Sequence, residues 1–133
     1  MNRDVKRRDE IIFGEYWSDR YKFGGCSNTE INFDQLKQLV EEDFINLNEC
    51  QNDSPSTKEF ISFADGYENN VIFEIYAISP DRDDYRVTIE GIQITIPIDK
   101  RDDLCNFMNN FRYADEFNID SDEDNYFIRA WWD

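Results

Sequence analysis

Histidine is absent from the chain. A serine or cysteine nucleophile is normally activated by an imidazole or by a strongly lowered pKa, so this absence removes the commonest hydrolytic constellations. Cysteine is scarce. Cys26, Cys50 and Cys105 are an odd number at wide spacing with no CxxC pair, which fits free thiols better than a disulfide framework. Cys26 follows Gly24-Gly25 in an expected loop, and Cys105 falls beside an apolar helical stripe, where it is expected to pack. No Gly/Ser/Pro-rich linker divides the chain, and no internal repeat is visible. No apolar run approaches the roughly 18 residues of a membrane-spanning helix. The basic start MNRDVKRR precedes only Ile11-Ile12-Phe13, too short for the apolar core of a signal peptide, so a cytoplasmic protein is expected. GxSxG, P-loop and GxGxxG patterns are missing as well. No catalytic, cofactor-binding or metal-ligating residue is assigned, and no cofactor is expected.

Positive charge is also in short supply. Lys and Arg total 14 against 30 Asp and Glu, a formal charge of −16. Arg3, Lys6, Arg7 and Arg8 face only Asp4 in the first eight residues, so the acidity belongs to the rest of the chain. Phosphate backbones need a basic footprint and anionic membranes attract basic segments, so neither nucleic acid nor membrane is expected as a direct ligand. A basic protein partner, a cation or plain solubility remain. Aromatic residues make up 16% of the chain and apolar ones 40%, enough to fill a core despite the charge. At 133 residues the expectation is a single domain, 1–133, with residues 1–10 frayed.

Residues 11–23 (IIFGEYWSDRYKF) are aromatic and predict a strand pair or an irregular packed arm. The first clear helix is expected over 33–47. Asn32 and Gln35 have capping-box spacing, and Phe33, Leu36, Val40, Phe44 and Leu47 form a stripe. Ser54-Pro55 predicts an N-cap with proline in the first helical position, hence a second helix over 55–65 ending before Gly66. From Val71 the period becomes two. Residues 71–78 predict a buried strand, 85–90 a strand with Tyr85, Val87 and Ile89 inward, and 92–98 a third, with Gly91 between them and Pro97 at its end. A third helix follows, capped by Asp99, with Leu104, Phe107, Met108 and Phe111 on one face. The chain closes with a hairpin, 114–119 and 125–132, around the turn DSDED. The expected fold is α+β: an antiparallel β-meander plus a C-terminal hairpin, with about three helices packed on one face.

Carboxylates are abundant, so metal-dependent chemistry built on them is one alternative. Asp120, Asp122 and Asp124 repeat every second residue, as a calcium loop begins, but Asn125 and Trp131 stand where such a loop needs Gly and Glu. Asp81, Asp83 and Asp84 interleave with Arg82 and Arg86, a pattern of local ion pairing.

The C-terminal stretch is different in kind. Asp115, Glu116, Asp120, Asp122, Glu123 and Asp124 share it with Trp131 and Trp132, which must point to opposite faces of a strand. One tryptophan is expected to enter the core. The other is available to anchor a partner, with the acids speeding encounter with a basic one. These eight residues are the candidate partner-binding site. In size, acidity and lack of catalytic groups the chain resembles two classes of inhibitor: bacterial toxin-immunity proteins and phage-encoded anti-restriction or anti-CRISPR proteins. The resemblance implies a non-enzymatic protein that neutralises a basic, nucleic-acid-handling partner such as a toxin or nuclease, with the immunity role preferred. The phage inhibitor acting as a nucleic-acid mimic is an alternative, as is an adaptor whose charge only keeps it soluble.

Overall fold

The two-residue period that begins at Val71 builds the middle of a five-stranded antiparallel sheet. In chain order the elements are α1 (Val5–Phe13), β1 (Cys26–Asn32), α2 (Phe33–Glu41), α3 (Thr57–Ala64), β2 (Val71–Ile78), β3 (Val87–Pro97), α4 (Arg101–Phe111), β4 (Glu116–Ser121) and β5 (Asn125–Trp131). This computed structural model describes residues 1–17, 19–21 and 25–133. The strands lie in the order β1-β2-β3-β5-β4. All four helices contribute side chains to one core against a single face of the sheet, the α+β layer pair expected. Among the described residues no helix is long and apolar enough to cross a membrane.

The expected β-meander of three strands is two. Residues 87–97 form one continuous strand, with a bulge where Glu74 pairs with Gly91 and Ile75 with Ile89. Val87 and Ile89 have odd numbers, whereas Ile92, Ile94 and Ile96 have even ones, and all five are buried. Without a bulge this change of parity would turn one set to solvent. Glu90 is the extra residue that restores the phase, so Gly91 marks a bulge rather than a break. Strand β1 has no counterpart in the expected elements. Its sequence CSNTEIN offers one large apolar residue, Ile31, which is buried opposite Phe73.

Helix α1 begins within the first ten residues and is bonded to the rest of the molecule. Asp4 caps α1 by accepting from the Arg7 N–H at 3.1 Å, and Gly14 ends it at φ +82°, a left-handed stop that favours glycine. Arg7 grips Glu42 with two bonds of 2.7 and 2.8 Å, and the Asn2 N–H donates to the Asp43 carbonyl at 2.9 Å. Arg8 and Asp9 are fully buried. Arg8 donates to the Ile78 carbonyl at 2.8 Å and to the Tyr21 hydroxyl at 2.7 Å, and that hydroxyl donates to Asp9 at 2.8 Å. Ile11 and Ile12 therefore belong to a helix that reaches the core, not to a strand pair. The rest of the aromatic stretch falls partly on residues 18 and 22–23, outside the described residues.

The other helices begin where their caps lie. Asn32 and Gln35 form the reciprocal capping box, with both bonds at 2.8 Å. Helix α2 ends at Glu41 instead of continuing to 47. Asp43 turns left-handed at φ +65°, and the Phe44 and Ile45 N–H groups both return to the Leu39 carbonyl. Phe44 and Ile45 thereby enter the core from a turn, and Leu47 is left exposed. The cap of α3 is Ser56, which accepts from the Glu59 N–H, while Ser54 accepts from the Gln51 N–H one turn earlier. Lys100 stands at the cap of α4 with no side-chain bond, so Asp99 does not fill that role. Cys105 is exposed on α4 rather than packed. Between α3, α4 and the sheet lies an aromatic cluster of Phe60, Phe63, Phe107, Phe111 and Trp132.

Candidate functional site

The helices cover one face of the sheet, and register fixes which side chains populate the other. Residues directly opposite each other in an antiparallel pair share a face. One row therefore runs across all five strands: Glu30, Glu74, Gly91, Trp131 and Glu116. The next is Asn32, Ile72, Gln93, Arg129 and Asn118. Thr95, Phe127 and Asp120 continue the pattern toward the β4–β5 turn. Glu30, Glu116, Asn118, Asp120 and Phe127 are exposed, while Ile72, Glu74, Gln93, Arg129 and Trp131 are half-buried by one another. A shallow depression of about 250 Å³ lies among Ile72, Gln93, Thr95, Phe127 and Arg129.

Arg129 organises this face. Its guanidinium crosses β3 to hold Glu74 with bonds of 2.7 and 2.8 Å, and it reaches Glu116 on the other side at 3.2 Å. Gly91, with no side chain, leaves the space into which the Glu74 carboxylate fits. A Cβ there would stand 3.0 Å from Glu74 Oε2 and 3.2 Å from the Ala130 carbonyl. Gln93 ties Glu30 and Glu74 together, donating to them at 2.6 and 3.2 Å. The hydrogen bonds Arg129 donates to Glu74, ahead of the one it donates to Glu116, hold its pKa well above the ordinary arginine value. Glu90 behaves oppositely. Burial pushes its carboxyl above the usual range, although Asn28 donates to it at 2.6 Å.

The eight candidate residues separate by face. Glu116, Asp120 and Trp131 belong to the open face. Trp132 does not. It is 5% exposed and packs edge-on against Phe60 and Phe111, so it serves the core and is not available to a partner. Asp115 lies beside β4 and accepts from the Asp133 N–H at 2.8 Å. Asp122, Glu123 and Asp124 form the turn between β4 and β5. Asp122 spends one carboxylate oxygen on the Asp124 and Asn125 N–H groups, both at 2.8 Å, and these bonds lower its pKa. Among the described residues no three His, Cys, Asp or Glu side chains are placed to hold one metal ion.

Glu30, Glu74, Glu90, Phe127 and Arg129 complete the face and were not among the candidates. Glu74 lies in VIFEIYAI, where strict alternation marks positions 72, 74 and 76 as one face. Glu30 carries no such signal, because nothing in CSNTEIN announces a strand. A second concavity, between α3 and α4, is larger, at about 1140 Å³, but is lined by polar groups such as Lys58, Ser62, Tyr67, Lys100, Asp103 and Asn106. Pro55, Phe63, Pro97 and Phe111 supply the apolar part of the same lining. No family model matches the chain, and neither a curated protein nor a solved structure matches it.

Proposed function

We propose that the protein is a non-enzymatic, acidic binding protein that neutralises a basic, nucleic-acid-handling partner in the manner of a toxin-immunity protein. The observation that carries this reading is the sheet face away from the helices, where Glu30, Glu74, Glu116 and Asp120 surround Trp131 and the exposed Phe127, with Arg129 set among them. An antiparallel sheet often leaves one face in water, so openness alone carries little. Aromatic side chains among carboxylates are the distinctive element. Tryptophan and its neighbours supply contact energy at interface centres, and a rim of one charge sign speeds encounter with the opposite sign. Carboxylates spread over such a face suit a groove that normally holds phosphates.

The test has two steps. The full chain is used to capture partners at low salt, and the captured protein is then assayed for nucleic-acid binding with and without this chain. Support requires a basic protein whose nucleic-acid binding is displaced, an affinity that falls steeply with added salt, and loss of both with Glu30→Lys/Glu116→Lys. Capture that is indifferent to salt and to those substitutions would sink the reading.

A further inference from the structure

Among the described residues, no other strand occupies the outer side of β4, at one end of the sheet. β4 pairs with β5 alone. Bonded and non-bonded pairs alternate along an antiparallel ladder. The bond from the Asp122 N–H to the Asn125 carbonyl, 3.0 Å, fixes the phase. Asp120, Asn118 and Glu116 therefore exchange bonds with β5, while Ser121, Ile119 and Phe117 direct their N–H and C=O groups outward. The Ser121 N–H is already taken by the Asp120 carboxylate at 2.8 Å. Among the described residues no other segment bonds to the backbone of Phe117 or Ile119.

Such an edge templates strand addition, and proteins usually blunt it with lysine, proline or a bulge. EFNIDS contains neither lysine nor proline, and its pairing with β5 is unbroken. Its two faces differ sharply. Glu116, Asn118 and Asp120 lie on the open face, whereas Phe117 and Ile119 lie on the other. Phe117 is reached by Phe107 of α4, at 6.0 Å between ring centroids, but Ile119 is 45% exposed. A second copy of the chain fits poorly. Pairing β4 with itself in the register centred on Asn118 sets Glu116 opposite Asp120, and in the register centred on Ile119 it sets Glu116 opposite Asp122. Directly opposed like charges destabilise a sheet.

We propose that β4 is the docking edge for an extended, basic segment of the partner protein. The segment adds as a sixth strand, with Lys or Arg opposite Glu116 and Asp120 and apolar side chains opposite Phe117 and Ile119. This inference rests on the proposed binding of a basic partner and specifies how that partner is held: backbone bonds from Phe117 and Ile119 supply the pairing, and alternation supplies the selectivity.

The test uses the full chain and a synthetic ten-residue peptide alternating Lys and Val, with a Glu–Val peptide as its counterpart. The Lys–Val peptide is expected to bind, to slow hydrogen exchange at the Phe117 and Ile119 amides, and to bind at least tenfold more tightly than the Glu–Val peptide. Ile119→Pro removes an outward N–H without breaking a bond to β5 and is expected to reduce the affinity at least tenfold. N-methylation of the peptide at alternate residues removes the pairing from the ligand side, so the test survives a variant that fails to fold. If Ile119→Pro and the N-methylated peptide bind like their parents, the edge is not the docking element, even where capture of a basic partner by the open face stands. If neither the peptide nor any basic protein binds at low salt, the underlying reading fails as well. Self-association of the free chain that Ile119→Pro abolishes would assign the edge to a second copy and overturn the proposal.

Discussion

Trp131 and Trp132 are adjacent in sequence and face opposite sides of the sheet, so replacing each in turn separates stability from the proposed binding. Trp132 is 5% exposed, with the Phe60 and Phe111 rings edge-on at 5.6 and 5.9 Å. Truncating a buried tryptophan to alanine costs about 3–5 kcal/mol through lost transfer energy and the cavity left behind. With a urea m-value of about 2 kcal/mol/M for a domain of this size, Trp132→Ala should lower the unfolding midpoint by about 1.5–2.5 M. That loss is a large part of a typical total stability of about 5–15 kcal/mol, so Trp132→Phe, at about 1–2 kcal/mol, provides a folded comparison. Trp131 is half-buried on the open face, with the Arg129 guanidinium 5.8 Å from its ring centre. Its removal forfeits a cation–π contact and partial burial, roughly 1 kcal/mol, a midpoint shift of about 0.5 M. In binding the order reverses. Loss of an interface anchor costs about 2 kcal/mol or more, so Trp131→Ala should weaken the captured complex about 30-fold, while folded Trp132→Phe leaves it near the parent affinity. Urea unfolding followed by far-ultraviolet circular dichroism and titration calorimetry read the two quantities. Equal midpoint losses for Trp131→Ala and Trp132→Ala, or an unchanged affinity for Trp131→Ala, would refute this division.

Three further outcomes follow from the same geometry. Gly91→Ala places a Cβ 3.0 Å from Glu74 Oε2, so it should cost about 1–2 kcal/mol in urea unfolding and lose most of that cost when Glu74→Ala is also present; equal costs in both backgrounds would show that the Glu74–Arg129 pair is not what the glycine accommodates. Glu90 has a raised folded pKa, so the native state holds a proton there that the unfolded chain has released, and stability falls as pH rises from the ordinary carboxylate range through the raised value. Glu90→Gln should flatten that part of the stability–pH profile and unfold at higher urea than the parent at pH 7, and a less stable variant there would count against burial as the dominant cause. Asp9→Asn leaves the fully buried Arg8 without its charged partner and should cost about 3–5 kcal/mol, measured by thermal or urea unfolding, whereas a change within error would remove the buried pair from the account of α1.

Much of this architecture is legible in local pattern, and its gaps have physical causes. The capping box of Asn32 and Gln35, the Leu104–Phe111 stripe and the alternation of β2 are each set by neighbours a few residues away, and each matches the structure. The opposite placement of Trp131 and Trp132 follows from strand periodicity alone. Strand β1 is different in kind. Its residues have little intrinsic preference for a strand, and β2 imposes the conformation by pairing along its length. Helix α1 was hidden because Arg8 and Asp9 look like solvated charges, and only the Ile78 carbonyl and the Tyr21 hydroxyl, distant or unordered in sequence, make them interior residues. Gly91 was ambiguous for the same reason. Whether a glycine breaks a strand or bulges it depends on the parity of apolar residues on both sides and on what must cross above it.

The arrangement of charge on the open face bears on whether its acidity is more than a solvation device. Acids that only keep a protein soluble gain nothing from being held still, and exposed pairs between mobile side chains contribute little. Here the central carboxylates are fixed. Glu74 takes two bonds from Arg129 and one from Gln93, Gln93 also binds Glu30, and Arg129 extends to Glu116. The lattice spans four strands from β1 to β5 and on to β4, and Gly91 leaves room within it for the Glu74 carboxylate. Rotamers fixed before encounter are not lost at encounter, which lowers the entropic cost of association. Glu30 and Glu116 stay exposed at the two ends of the lattice, so under the proposed function an approaching lysine or arginine meets placed acceptors instead of having to gather them. Arg129 also offsets the repulsion that carboxylates in adjacent strands would otherwise exert. A face built this way holds its negative charges at set positions, and under the proposed function that pre-organisation, which solubility alone does not require, favours a basic partner.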